Sequence, residues 1–191
     1  MRKLLATSLL TVSLTACSSL TPAGMRAVAG LDPIETDPAR LTAAIGVDEA
    51  FRLRTGDAKL SISYRTDKTS APVVSEEFKL VISASTGTDS IEPHAGEAIF
   101  IARIAEEDLA RARDAQSRIR TLKLAGVGTG ELSVGVSSGC LTKAMPDKVP
   151  LRTYIRSEEA AKFVQLTEID NILDMLTQEQ VKKIRQEFPA C

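Results

Sequence analysis

Residues 60–65, Leu-Ser-Ile-Ser-Tyr-Arg, place apolar side chains at Leu60, Ile62 and Tyr64 and polar ones between them. Successive side chains of an extended chain point to opposite faces, so this stretch reads as a strand with one buried and one wet face. Upstream, Phe51 and Leu53 alternate with Arg52 and Arg54, and Thr55-Gly56-Asp57 reads as a tight turn. The two runs together predict a hairpin. Downstream the same period recurs at Phe78, Leu80, Ile82 and Ala84, at Leu132, Val134 and Val136, and at Leu151, Thr153 and Ile155. A shorter strand is expected near 162–166. Residues 98–104, AIFIARI, are apolar at nearly every position and suit a central strand covered on both faces.

Two regions break the alternation. Leu109, Ala112, Gln116, Ile119 and Leu122 fall three or four apart, which predicts a helix over 105–123. Acids at 106–108 begin it, and Arg118, Arg120 and Lys123 lie near its end, the polarity that a helix dipole favours. Near the C-terminus Ile169, Ile172, Leu173 and Leu176 share one helical face. Thr177 with Gln180 forms a capping box for a last helix over 178–187, stopped by Pro189. The expected fold is mainly β with α additions. It is an antiparallel β-sandwich or open barrel of about seven strands, with one inserted helix and a helical C-terminus. Antiparallel pairing is favoured because most strands alternate.

Composition narrows the function. Only 4% of the 191 residues are aromatic and none is Trp, so the core must be aliphatic. Sugar and single-stranded nucleic-acid binding, which lean on stacking platforms, lose ground. The formal net charge is -1, which attracts no phosphate backbone, and no nucleic-acid partner is expected.

The N-terminus carries an address. Arg2 and Lys3 precede a mostly apolar stretch from 4 to 14. As a helix it would span only about half the hydrocarbon thickness, too short to cross a membrane but suited to a signal peptide. It ends in Leu14-Thr15-Ala16-Cys17, which resembles the lipobox of bacterial lipoproteins. The resemblance covers roughly the first 20 residues. It implies cleavage between Ala16 and Cys17, removal of residues 1–16, and a lipid on the Cys17 thiol and its new amine. Ser18 next to that cysteine implies transfer to the outer membrane by the sorting preference of better-studied lipoproteins. Two or more acyl chains anchor stably, where one binds only marginally. Residues 17–40, with Pro22, Pro33, Pro38, Gly24 and Gly30, read as the lipidated Cys and a flexible tether. Residues 41–191 read as one globular domain.

With Cys17 assigned to lipid, Cys140 and Cys191 remain, and in an oxidising compartment they are expected to pair as a disulfide. Cys140 as a nucleophile would need a nearby base, and the chain has one histidine, His94, on another loop.

Other constellations are weaker. Asp89, Glu92, His94 and Glu97 could in principle ligate a divalent ion, but their spacing matches no ligand motif, and solvation of a turn-rich loop is the expected role. Gly126, Gly128 and Gly130 lie after a helix and before a strand, the wrong order for a phosphate cradle. Arg103, Arg111, Arg113, Arg118, Arg120 and Lys123 could meet an anionic partner, although Glu106, Glu107, Asp108 and Asp114 offset most of that charge. Ser137 and Ser138 lack the Gly-x-Ser-x-Gly elbow. No cofactor, metal or catalytic residue is therefore expected. The leading expectation is a non-enzymatic protein-binding or structural module, tethered to the outer membrane and facing the periplasm, with an envelope protein as partner. The alternative is a periplasmic binder of an apolar or lipid ligand, and a sizeable apolar cavity would favour it.

Overall fold

The strand that organises the sheet, β1 (Thr42–Asp48), is one that alternation does not reveal. Its sequence TAAIGVD is buried from Thr42 to Val47, because it is covered on both faces and flanked on both edges. The computed structural model describes residues 34–68, 71–85, 87, 91–126, 128–158 and 161–191. The leader, Ala16, Cys17 and the tether up to residue 33 lie outside the described residues, as does Asp89.

The remaining strands are β2 (Phe51–Arg52), β3 (Ala58–Thr66), β4 (Val74–Ala84), β5 (Glu97–Ile104), β6 (Gly128–Val136), β7 (Cys140–Leu141), β8 (Leu151–Arg156) and β9 (Val164–Ile169). Helix α1 (Leu109–Ala125) links β5 to β6, and α2 (Gln178–Glu187) follows β9. Seven strands form one antiparallel sheet in the order β6-β3-β4-β5-β1-β8-β9, curled into a nearly closed barrel. This is the open-barrel form of the expected fold, with its inserted helix and helical C-terminus.

Several local expectations need correction. Phe51 and Arg52 do not fold back onto 60–64. Both edges of β3 are already taken, by β4 and β6, so β2 pairs instead with β7 in a separate two-stranded sheet. The intervening turn is real: Asp57 N–H donates to the Arg54 carbonyl, and Gly56 adopts φ +91°. Ile169, Ile172, Leu173 and Leu176 do not share one helix. Ile169 ends β9, and a 3-10 turn spans Ile172–Met175. Asn171 explains the break, since its side-chain oxygen accepts from both Leu173 N–H and Val149 N–H and anchors the turn to the loop before β8. The capping box of α2 is present as read, with Thr177 and Gln180 bonded reciprocally.

The concave side of the sheet holds the main core, with Ile45, Phe78, Leu80, Ile155 and Leu166 buried. Helix α1 packs there through Ala112, Ala115, Gln116 and Ile119. The two alanines let the helix approach the sheet closely. The end of the expected tether joins this core. Ile34 and Pro38 are buried, and Gln116 Nε2 donates to the Thr36 carbonyl at 2.7 Å. The arginines of α1 explain why. Arg113 pairs with Asp37 and Arg120 with Glu35, while Arg111 and Arg118 converge on Glu76 of β4. The basic face thus clamps residues 34–40 and β4, and its positive charge is largely spent inside the molecule.

On the convex side a smaller cluster, Ala44, Ile99, Ile101 and Tyr154, is covered by Ile91 and Phe163. Strand β5, read as doubly covered, is so. Gly128 begins β6 where a Cβ would collide with the Arg65 carbonyl and the Tyr64 ring, so this glycine serves close packing against β3. Among the described residues no helix is long and apolar enough to cross a membrane.

Candidate functional site: an apolar cavity at the open end of the barrel

The two ends of the barrel differ. Where α1 enters, side chains such as Leu60, Phe78, Ile104 and Leu132 leave only about 10 Å³ of free space. At the other end a cavity of about 540 Å³ remains, within the ~300–1,000 Å³ range of small-molecule sites.

The topology creates it. Strands β6 and β9 are the edges of the seven-stranded sheet, and they do not pair with each other among the described residues. Val136 at the end of β6 and Ile169 at the end of β9 line opposite sides of the opening, with Val47 of β1 and Leu151 of β8 between. The 3-10 turn Ile172–Met175 and Ile184 and Phe188 from the C-terminal segment close the remaining side. The residues that sequence periodicity assigned to one amphipathic helix therefore form part of a cavity wall. Met145 and Met175 also line the cavity, and their flexible thioethers adapt to irregular shapes.

The C-terminal wall is fastened down. Phe188 packs edge-on against Phe51, ring centroids 5.5 Å apart. Leu141 N–H donates to the Pro189 carbonyl and Cys191 N–H to the Leu141 carbonyl, each at 2.9 Å. The structure brings Cys140 and Cys191 together as a disulfide, their Cα atoms 4.9 Å apart. Cys140 is thus placed at a fastening of the cavity, with its sulfur committed to Cys191.

The polar part of the lining is Ser137 and Ser138, and both are engaged by Asp57. Their two N–H groups donate to the Asp57 carbonyl at 2.8 and 3.2 Å, and the Ser137 hydroxyl donates to the same oxygen at 3.1 Å. The Ser138 hydroxyl donates to the Asp57 carboxylate. Burial pushes the Asp57 carboxyl up. Hydrogen bonds from Ser138 and from the Arg54 N–H and guanidinium outweigh this and hold it below the usual carboxylate value. Neither serine meets the histidine.

His94, Glu92 and Glu97 lie on the convex face, where they surround a guanidinium. Glu97 and Arg152 form an ion pair whose side chains are 6% and 9% exposed. Arg152 Nη1 lies 2.9 Å from His94 Nε2, and Arg152 also donates to the Glu92 carbonyl. Arginine has no acceptor, so His94 Nε2 must accept this bond. Among the described residues no group of three metal-ligating side chains converges. The sequence showed the carboxylates and the imidazole but not their partner, which lies 55 residues after Glu97 and arrives by strand pairing.

The cavity itself had no signal of its own in the sequence, because it arises from strands that end without meeting. No protein-family model matches the chain, and neither any curated protein nor any solved structure matches it.

Proposed function

We propose that this chain is an envelope lipoprotein, anchored through Cys17 and facing the periplasm, whose barrel carries a small apolar molecule. The observation that carries the ligand reading is the cavity of about 540 Å³ lined almost wholly by aliphatic, Met and Phe side chains. An apolar cavity open to solvent holds water against aliphatic walls, and an apolar ligand that displaces it removes that surface from water. Burying a ten-carbon chain contributes about 8 kcal/mol in gross terms, at about 0.8 kcal/mol per methylene, and the affinity is what remains after the cost of association. The outer membrane is the proposed location, by the resemblance at Ser18.

Displacement of the fluorescent probe 1-N-phenylnaphthylamine tests the binding. The wild-type chain is expected to enhance its emission at micromolar protein. Val136→Trp, which projects bulk into the opening, is expected to weaken binding at least tenfold with an unchanged far-ultraviolet circular dichroism spectrum. A wild-type chain that binds no apolar probe rejects the ligand reading.

The anchor is tested separately. Cells fed an alkyne-tagged palmitate are expected to label the wild-type chain and not Cys17→Ser, and the variant is expected to leave the membrane fraction. Membrane association of Cys17→Ser equal to wild type would reject the lipid anchor.

A second reading, a protein partner, is favoured by the edges of β6 and β9, each paired on one side only among the described residues. Such edges can accept a further strand. Specific co-purification of an envelope protein, lost when β6 is altered, would support it.

A further inference from the structure

The polar corner of the cavity specifies the head of its ligand, and this inference rests on the apolar-ligand reading above. Ser137 and Ser138 together own four donors, two N–H and two O–H groups. All four are spent on Asp57: three on its carbonyl and one on its carboxylate. A serine hydroxyl that has given its proton away still has lone pairs, so this corner offers acceptors and no donors. The other carboxylate oxygen of Asp57 takes Arg54 N–H at 2.8 Å and Arg54 Nε at 3.2 Å, which holds the network in place.

The remainder of the lining adds no cation. Among the described residues it contains no Lys, Arg or His, and Pro150 brings no N–H. Ser137 and Ser138 are exposed, so this corner lies at the mouth of the cavity, where a carboxylate or phosphate would find no unspent serine donor and would face the Asp57 carboxylate. A hydroxyl has the opposite outcome, because it can give its proton to a serine oxygen. We propose that the cavity takes a neutral single-chain amphiphile ending in a hydroxyl, which donates to Ser137 or Ser138 Oγ, in preference to the corresponding carboxylate.

Three probes with one tail separate the chemistry: 1-decanol, decyl methyl ether, which keeps the oxygen but has no donor, and decanoate at pH 8. Each is titrated against the full chain loaded with 1-N-phenylnaphthylamine. Decanol is expected to bind about five- to tenfold more tightly than the ether, the range of one neutral hydrogen bond, and more tightly still than decanoate. In the double variant Ser137→Ala with Ser138→Ala, the preference of decanol over the ether is expected to vanish while ether binding stays within about twofold.

Decanoate binding as tightly as decanol overturns the proposal, as does an ether equal to decanol in the wild-type chain. Both results leave the apolar cavity reading standing, whereas failure of all three probes removes both. A double variant that loses ether and alcohol binding alike also overturns it, since the serines would then only shape the wall. The wild-type comparisons decide the matter even if that variant does not fold.

Discussion

Replacing Arg152 with methionine, of similar length but uncharged, is expected to destabilise the protein by about 3–5 kcal/mol. The reason is what stays behind. Glu97, its side chain 6% exposed, would keep a buried carboxylate whose principal partner is gone. Arg152 Nε donates to one of its oxygens at 2.7 Å and Nη2 to the other, a forked arrangement that lysine could not reproduce. The pair sits over Gly46 of β1, where an added Cβ would overlap the Glu97 carboxylate, so the strand beneath was left bare to admit it. Adding Glu97→Leu to Arg152→Met is expected to recover most of the loss, because two apolar groups can replace a buried pair at little cost. Urea midpoints for the two single and the double variants check this. A loss below about 1 kcal/mol for Arg152→Met would mean that water reaches the pair and that it contributes as an ordinary surface bridge.

Opening the link between Cys140 and Cys191 is expected to cost about 2–4 kcal/mol, since it releases a loop of 51 residues in the unfolded chain. It should also reach the cavity. Phe188 and Ile184 line its wall, and the chain end that carries them is held through Pro189, Ala190 and Cys191 against β7. Cys191→Ser is therefore expected to lower the denaturation midpoint and to weaken 1-N-phenylnaphthylamine binding several-fold. Alkylation of protein taken from its native compartment without reductant checks the premise. Labelling of both cysteines there would show that they do not pair.

The sheet was legible where one face of a strand is wet. The pattern of β3 is buried at Ala58, Leu60, Ile62 and Tyr64 and less so between, which is the alternation read at residues 60–64. It failed for β1, whose residues Thr42 to Val47 are all buried and whose small side chains, Ala43, Ala44 and Gly46, suit close packing on both faces. A strand sandwiched on all sides has no polar face to mark its period. Pairing was less legible than strand identity. The hairpin expected at 51–64 was defeated by competition for the edges of β3 by β4 and β6, which no local pattern records.

The same division holds for the sites. Sequence showed His94, Glu92 and Glu97 as a cluster, and the structure turns that cluster around Arg152. Sequence showed six positive charges along 103–123, and folding pairs four of the helix arginines with Asp37, Glu35 and Glu76. Ser137 and Ser138 stand in no nucleophile elbow in the sequence. Their hydrogen bonding comes from a turn 80 residues earlier that brings Asp57 to them.

From residue order alone came the mainly β class, the inserted and terminal helices, the capping box at Thr177, and the expectation of a lipidated Cys17 with the other two cysteines paired. All of these depend on neighbours in the chain or on counting. The tertiary structure alone decided that β6 and β9 end apart, that about 540 Å³ of apolar space lies between them, and that the C-terminal segment is its wall. A cavity is the volume that side chains from distant segments fail to fill. It has no residues of its own until the strands have closed around it.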